Sequence, residues 1–438
     1  MTTGRRPATV ESGAVAGSGV AQARGAARGW RSWWGAAVAV WVVGWGTNQF
    51  TPMLLLYRTR LGFSPALVQA TFALYAAGLI PGLLVAGPLS DRIGRRRVVL
   101  AALALSMAAG AVLIAGAHSA ALLSAGRLLV GLASGSAFST GAAWIKELSA
   151  PPYGTAPPGA AARRTSAAMT LGFGLGPLAA GVLAQWAPAP AVLPYVPHLL
   201  LAAGALAVAA RTPETVRRDP LAARTPGAAR PDPPRGRGLF PARFVRVVLP
   251  LAPWVFVSAT VAMAYAPGLA SPQVPGFAIV FAALATVATA LSGVAATPLA
   301  RRVDRTGPAR LLGAGLAVVI AGLVAEAGAT AVPGAARPAL VLAAAVVLGC
   351  GYGFCLIFGL GEVQRLARPA GLAAMTACFQ AFAYAGYAAP YALSLLDRLA
   401  TPSALLLAVA ALAAATLAFT TWQSHRVPAR PGTVKETV

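Results

Sequence analysis

Arg127 stands in the run Arg127-Leu128-Leu129-Val130-Gly131, with apolar sequence on both sides. A guanidinium in such surroundings is costly, so it is a functional-site candidate; the alternatives are an arginine that snorkels to an interface or a hydrogen-bond hub. Glu326, in Val324-Ala325-Glu326-Ala327, is the second candidate, a carboxyl able to take up and release a proton, or else a solvated interfacial glutamate. Glu362 lies three residues before Arg365 and reads as its ion-pair partner. A third constellation is Gly87-Pro88-Leu89-Ser90-Asp91-Arg92-Ile93-Gly94-Arg95-Arg96-Arg97. Its glycines permit a tight turn and close helix approach, and Asp91 can pair with neighbouring arginines or a helix N-terminus. Other chemistry is thin. The sequence has no Gly-x-x-x-x-Gly-Lys-Ser/Thr phosphate loop, and His118, His198 and His425 lack metal-ligand spacing. Hydrolases and transferases need clustered nucleophiles, bases or metals, so no enzyme and no metal or organic cofactor is expected.

The elements that must hold these residues are apolar. The 438 residues are 58% hydrophobic and 11% charged, with mean hydropathy +0.70. Twelve charge-poor runs are long enough to cross a bilayer: 33–57, 67–90, 98–117, 120–144, 165–186, 190–210, 246–268, 274–300, 311–330, 338–361, 372–396 and 402–422. Continuous rather than alternating apolarity predicts helices, not a barrel. The expected fold is all-α and polytopic. Cys350, Cys355 and Cys378 all fall inside these runs, so no disulfide framework is implied.

Residues 211–243 form the one long interior polar stretch, rich in proline and holding eight arginines. The expected organisation is a disordered N-terminal tail over 1–29, six spans over 30–210, the linker, six spans over 244–424 and a tail over 425–438. With the N-terminus inside, the tails and even-numbered loops hold most of the arginines, while the opposite loops hold Arg58, Arg60, Arg337 and Arg398. The +24 net charge is therefore read as positive-inside loops, not a nucleic-acid surface. Both termini and the linker are expected in the cytoplasm of a multi-pass cell-membrane protein, with Trp33, Trp34 and Trp422 at the interface. The halves also repeat: Thr297-Pro298-Leu299-Ala300-Arg301-Arg302, then Asp304-Arg305-Thr306-Gly307, sits where the Asp91 cluster sits in its own half. Such repeats usually place a substrate site near the midplane between them.

With twelve spans and Gly87-x-Leu89-x-Asp91-Arg92-x-Gly94-Arg95-Arg96 after the second, the chain resembles the major facilitator superfamily. The resemblance implies two pseudo-symmetric six-helix bundles. It gives Gly87, Asp91, Arg92, Gly94, Arg95 and Arg96 a gating role that loosens during the cycle. Arg127 resembles the fourth-helix arginine of the family's proton-linked exporters. Gly172-Phe173-Gly174-Leu175-Gly176-Pro177-Leu178-Ala179-Ala180-Gly181 resembles the fifth-helix Gly-Pro signature of its antiporters, with Ala180 replacing a glycine; Gly172, Gly176, Pro177 and Gly181 carry that likeness. The first span departs from the pattern, with Asn48 and Gln49 where many proton-coupled drug exporters carry an aspartate.

In the family the first, fourth, seventh and tenth helices line the central path. That makes Asn48, Gln49, Ser136, Ser139, Thr140, Trp254, Ser258, Tyr265 and Tyr352 cavity candidates, with Gln380 and Tyr384 from the eleventh. The resemblance thus implies proton-driven efflux of hydrophobic or amphiphilic small molecules. Uptake of a small metabolite is the alternative, and a non-transporting sensor a further one. The expected partners are the bilayer, a small-molecule substrate and protons, with a monomeric protein.

Overall fold

A computed structural model describes residues 32–216, 240–368 and 371–427. The expected tails (1–29 and nearly all of 425–438) and most of the linker lie outside those ranges. Twelve helical rods run back and forth: α1 (Trp34–Asn48 and Phe50–Thr59), α2 (Pro65–Ile93), α3 (Arg95–Ala115), α4 (Ala120–Leu148), α5 (Ala160–Trp186) and α6 (Leu193–Ala210). The second set is α7 (Phe244–Gln273), α8 (Ala278–Thr306), α9 (Pro308–Ala331), α10 (Ala336–Leu366), α11 (Leu372–Tyr384 and Ala389–Leu396) and α12 (Pro402–Arg426). Among the described residues there is no strand.

Among the described residues ten rods are long and apolar enough to span a membrane; α1 and α11 are each interrupted and fall outside that set. Proline explains both breaks. Pro52 has no N–H for the Asn48 carbonyl, and α1 breaks at Gln49. Pro390 withholds the bond due to Gly386, and a 3₁₀ turn over Ala385–Ala388 results. The freed Gly386 carbonyl accepts instead from the Thr260 hydroxyl of α7, at 3.1 Å. Large apolar side chains face outward all over the rods, Leu200, Leu291 and Leu412 among them, as suits lipid rather than water.

Small residues bring the rods together. A Cβ on Gly131 or Gly135 of α4 would overlap the Tyr75 or Leu79 carbonyl of α2, and one on Gly78 would overlap the Leu128 carbonyl in return. The second half repeats the device: Gly349 and Gly353 of α10 press on the Thr289 and Gly293 carbonyls of α8. Such close backbone approach drives association where lipid removes the hydrophobic incentive. Gly131→Val is expected to destabilise the fold by about 3 kcal/mol or more, because its neighbour is backbone and cannot swing aside. An unchanged melting temperature in detergent would show that α2 and α4 can separate freely.

Two large buried clusters lie each within one set of six helices, around Val40 and Trp144 in the first and around Leu316 and Phe358 in the second. A third mixes both sets, joining Phe50, Tyr57, Phe72 and Tyr195 to Met263, Ile279 and Tyr387. It lies toward the Arg58 end of the rods and seals that end. The end that carries Asp91 and Asp304, here the motif face, has no such shared core among the described residues.

Candidate functional site

Between the halves lies a cavity of about 870 Å³ that reaches the motif face along Lys146, Thr165, Thr297 and Thr376. Its inner end is aromatic. Phe256 of α7 stacks on Tyr384 with centroids 4.5 Å apart and lies 5.2 Å from Tyr387 and 5.7 Å from Tyr352. Tyr387 in turn meets Phe72 at 5.2 Å and Tyr75 at 5.4 Å, closing the floor across both halves. Thr47, Asn48, Ser139, Thr289 and Gln380 add hydroxyls and amides to the wall. Among the described residues Lys146 is the one charged side chain that lines it.

Arg127 sits behind this floor rather than in the cavity. It is 1% exposed, so it does not snorkel. Its guanidinium lies 4.4 Å from the Phe50 centroid and 4.9 Å from that of Tyr75, which faces the cavity. One nitrogen donates to the Thr47 carbonyl at 3.4 Å, while Nε finds no acceptor among the described residues. Thr47 hydroxyl pairs with Ser134 at 2.8 Å, so α1 and α4 are joined beside the break at Gln49. Glu326 is fully buried in α9, away from the cavity, and neither carboxyl oxygen has a partner among the described residues.

The cavity candidates divide. Asn48, Ser139, Tyr352, Gln380 and Tyr384 line it. Gln49, Thr140, Trp254 and Ser258 are buried in helix packing; Thr140 bonds the Ala86 carbonyl and Ser258 its own helix. Ser136 is partly buried and bonds the Leu132 carbonyl of its own helix. Tyr265 belongs to a smaller cleft of about 240 Å³ near the Arg58 end, where it donates to Asp397 at 2.6 Å. The wall is not made by α1, α4, α7 and α10 alone, since α2, α5, α8 and α11 contribute Tyr75, Phe173, Thr289 and Gln380.

At the motif face Asp91 pairs with Arg95 at 2.5 Å, and Arg95 with Glu147 at 2.9 Å. Gly94 has φ +109°, and a Cβ there would overlap the Glu214 carboxylate. Gly87 behaves otherwise: α2 runs on through it to Ile93, and nothing lies within 4 Å of a Cβ there, so it makes neither the turn nor a close approach. Arg92 is exposed, and Arg96 reaches the Ala210 and Thr212 carbonyls. In the second half Asp304, Arg365, Glu362 and Arg243 form the corresponding chain, with Glu362 at 2.8 Å from Arg365 and 2.6 Å from Arg243.

Glu214 was no candidate in the sequence, where it falls in the Pro/Arg-rich linker. Its carboxylate accepts from the Arg95 and Arg96 amides at 2.9 and 3.1 Å, capping α3, whose own cap residue is glycine. Tyr153 hydroxyl and Trp144 indole hold the same segment through the Glu214 and Pro213 carbonyls. The signal was an acid just after a span. Glu214→Ala is expected to cost about 1–2 kcal/mol, as loss of a helix cap does, with Glu214→Gln recovering part of it in thermal unfolding.

The fifth-helix glycines have distinct neighbours. Gly172 and Gly176 press on the Trp41 and Trp45 carbonyls of α1, and Pro177 lies within the same helix. Gly181 meets Ala283 of α8, in the other half.

A family model described as the Major Facilitator Superfamily matches residues 36–390. The chain belongs to that superfamily. It is a multi-pass membrane transporter of small molecules. Among solved structures, this facilitator is similar to a peptide transporter POT in complex with sulfate, at 14% identity and TM-score 0.71, over 91% of this chain and 95% of the other. It is likewise similar to the nucleoside transporter NupG (13%, 0.68, over 89% and 99%). The inward-open xylose transporter XylE from E. coli matches at 17% and 0.67, over 92% and 97%. These likenesses show the fold. Over 76 residues the facilitator is 40% identical to the glucose transporter GlcP of Staphylococcus epidermidis, a stretch that spans 17% of each chain.

Proposed function

We propose that this facilitator exports hydrophobic or amphiphilic molecules without net positive charge in exchange for protons. One observation carries the substrate class: the 870 Å³ cavity has a stacked aromatic floor, a few hydroxyls and amides, and no carboxylate among its described lining residues. A cation entering it would find no counter-charge, whereas an apolar body with hydrogen-bonding groups matches the wall. Export is supported by the Gly-Pro run of α5, and the proton by Arg127 and Glu326, two buried ionisable groups without a described ion-pair partner. A cytoplasmic motif face, with both termini and the linker on that side of the cell membrane, is supported by the arginine-rich loops. The ion-pair chains of Asp91 and Asp304 are then cytoplasmic gates, and Asp91→Asn reduces turnover while sparing insertion. The facilitator works as a monomer, by rocking two six-helix bundles about the midplane.

A second reading, uptake of an uncharged polar metabolite, is favoured by the tyrosine hydroxyls and Gln380 and by the short glucose-transporter match. Proteoliposomes with an imposed pH gradient separate the two. Export predicts that lipophilic neutral dyes move against proton flow; movement of labelled sugar alone, in the proton's direction, would overturn it.

A further inference from the structure

Between the first six rods and the second six, the ion pairs are silent: among the described residues all five lie within one half. What does cross is neutral. Gln69 of α2, 9% exposed, donates from Nε2 to the Ala264 carbonyl of α7 at 2.7 Å, at the π-helical turn Val261–Tyr265. Gln185, at the end of α5, accepts through Oε1 from the Ile279 and Val280 amides of α8 at 3.0 and 3.4 Å. Both contacts lie toward the Arg58 end, within or beside the apolar cluster that seals it. Each glutamine's orientation is dictated by its partner, since a carbonyl only accepts and an amide N–H only donates.

The second contact has a specific reason. The helix of α8 begins without a side-chain cap of its own; its cap residue is Phe277. Its first amides need partners, and in a low-dielectric seam an orphan amide is costly. Gln185 supplies the acceptor from the other half. It is itself held by Arg60, whose guanidinium donates to the Ala184 and Gln185 carbonyls at 3.2 and 3.3 Å, and Trp186 meets Phe277 edge-on beside it.

We infer that Gln69 and Gln185 are positioning residues of the transport cycle, a neutral latch that holds the Arg58 end closed by completing the backbone of the opposite half. The inference rests on the transporter reading but on no substrate, direction or coupling ion. When this end opens, water takes over both backbone sites, so each bond exchanges for hydration at small net difference. A latch of that kind holds one conformation and still releases it. A carboxylate–arginine pair across the seam would be harder to desolvate on each closing.

Spin labels on the exposed loop positions His118→Cys and Leu399→Cys, in a background lacking the three native cysteines, report the gap at the Arg58 end without any ligand. Pulsed dipolar distances on the protein in nanodiscs are expected to show one short population. Gln69→Met and Gln185→Met, which keep volume but lose the bond, should each raise the long-distance population roughly three- to tenfold, and the double variant by their product. Gln185→Glu keeps the acceptor and should stay closed, an outcome that mere packing or stability would not produce. Unchanged distances in monodisperse Met variants, or a Glu variant that opens like Gln185→Met, would overturn the inference. Should either Met variant fail to fold, the Glu variant and the remaining Met variant still decide it.

Discussion

Glu362→Ala is expected to destabilise the protein by about 3–5 kcal/mol, the usual penalty for stranding a buried charge by removing its partner. The carboxylate is 1% exposed and sits between two guanidiniums, Arg243 at 2.6 Å and Arg365 at 2.8 Å. Arg365 has Asp304 to fall back on, at 3.1 Å, and is partly solvated. Arg243 has not. It is 5% exposed, and among the described residues its remaining bond is to the Val427 carbonyl at the end of α12. Its charge would be left buried and uncompensated. The paired replacement Arg243→Met with Glu362→Leu removes both charges and should recover most of the loss. Thermal unfolding of the two variants side by side checks this; equal melting temperatures for the single and double variants would mean that Arg243 finds water when its partner goes.

Arg127→Met is the second large effect. The substitution keeps most of the side-chain volume and removes the charge, so packing against Phe50 and Tyr75 survives while the cation–π attraction, about 0.5–2 kcal/mol per desolvated contact, does not. On the proton-exchange reading, turnover driven by a pH gradient should fall more than about tenfold, equivalent to at least 1.4 kcal/mol. Insertion and melting temperature should change far less than transport. Counterflow measured in proteoliposomes with and without a gradient separates the outcomes: a variant that still responds fully to pH would reduce Arg127 to a hydrogen-bond hub for α1.

The twelve spans were legible because lipid demands long apolar runs, and hydropathy reports such runs directly. Even the two broken rods carry their cause in sequence, Pro52 and Pro390. The cavity was legible in part. Asn48, Tyr352, Gln380 and Tyr384 stand out as polar or aromatic residues in apolar rods, yet Tyr75, Phe256 and Tyr387 did not. The reason is physical: when every face of a helix is apolar, amphipathicity no longer says which face turns inward. Trp254 and Ser258, expected in the wall, are packed away from the cavity, while their helix neighbour Phe256 lines it. Glu214 was hidden differently, since capping joins residues 119 positions apart and no local pattern announces the partner. Gly94 was read correctly as a turn, whereas Gly87, in the same motif, continues a helix.

The glycine seams bear on how the molecule can move. With backbones already touching, α2 against α4 and α8 against α10 have no slack to slide, twist or bow. Each duo is in effect a stiff beam, and shape change falls to the boundaries between beams. Gly181 against Ala283 offers a narrow pivot for it, one methyl group wide. Bulk added there would act as a wedge under a lever, propping one end ajar while every beam stays whole.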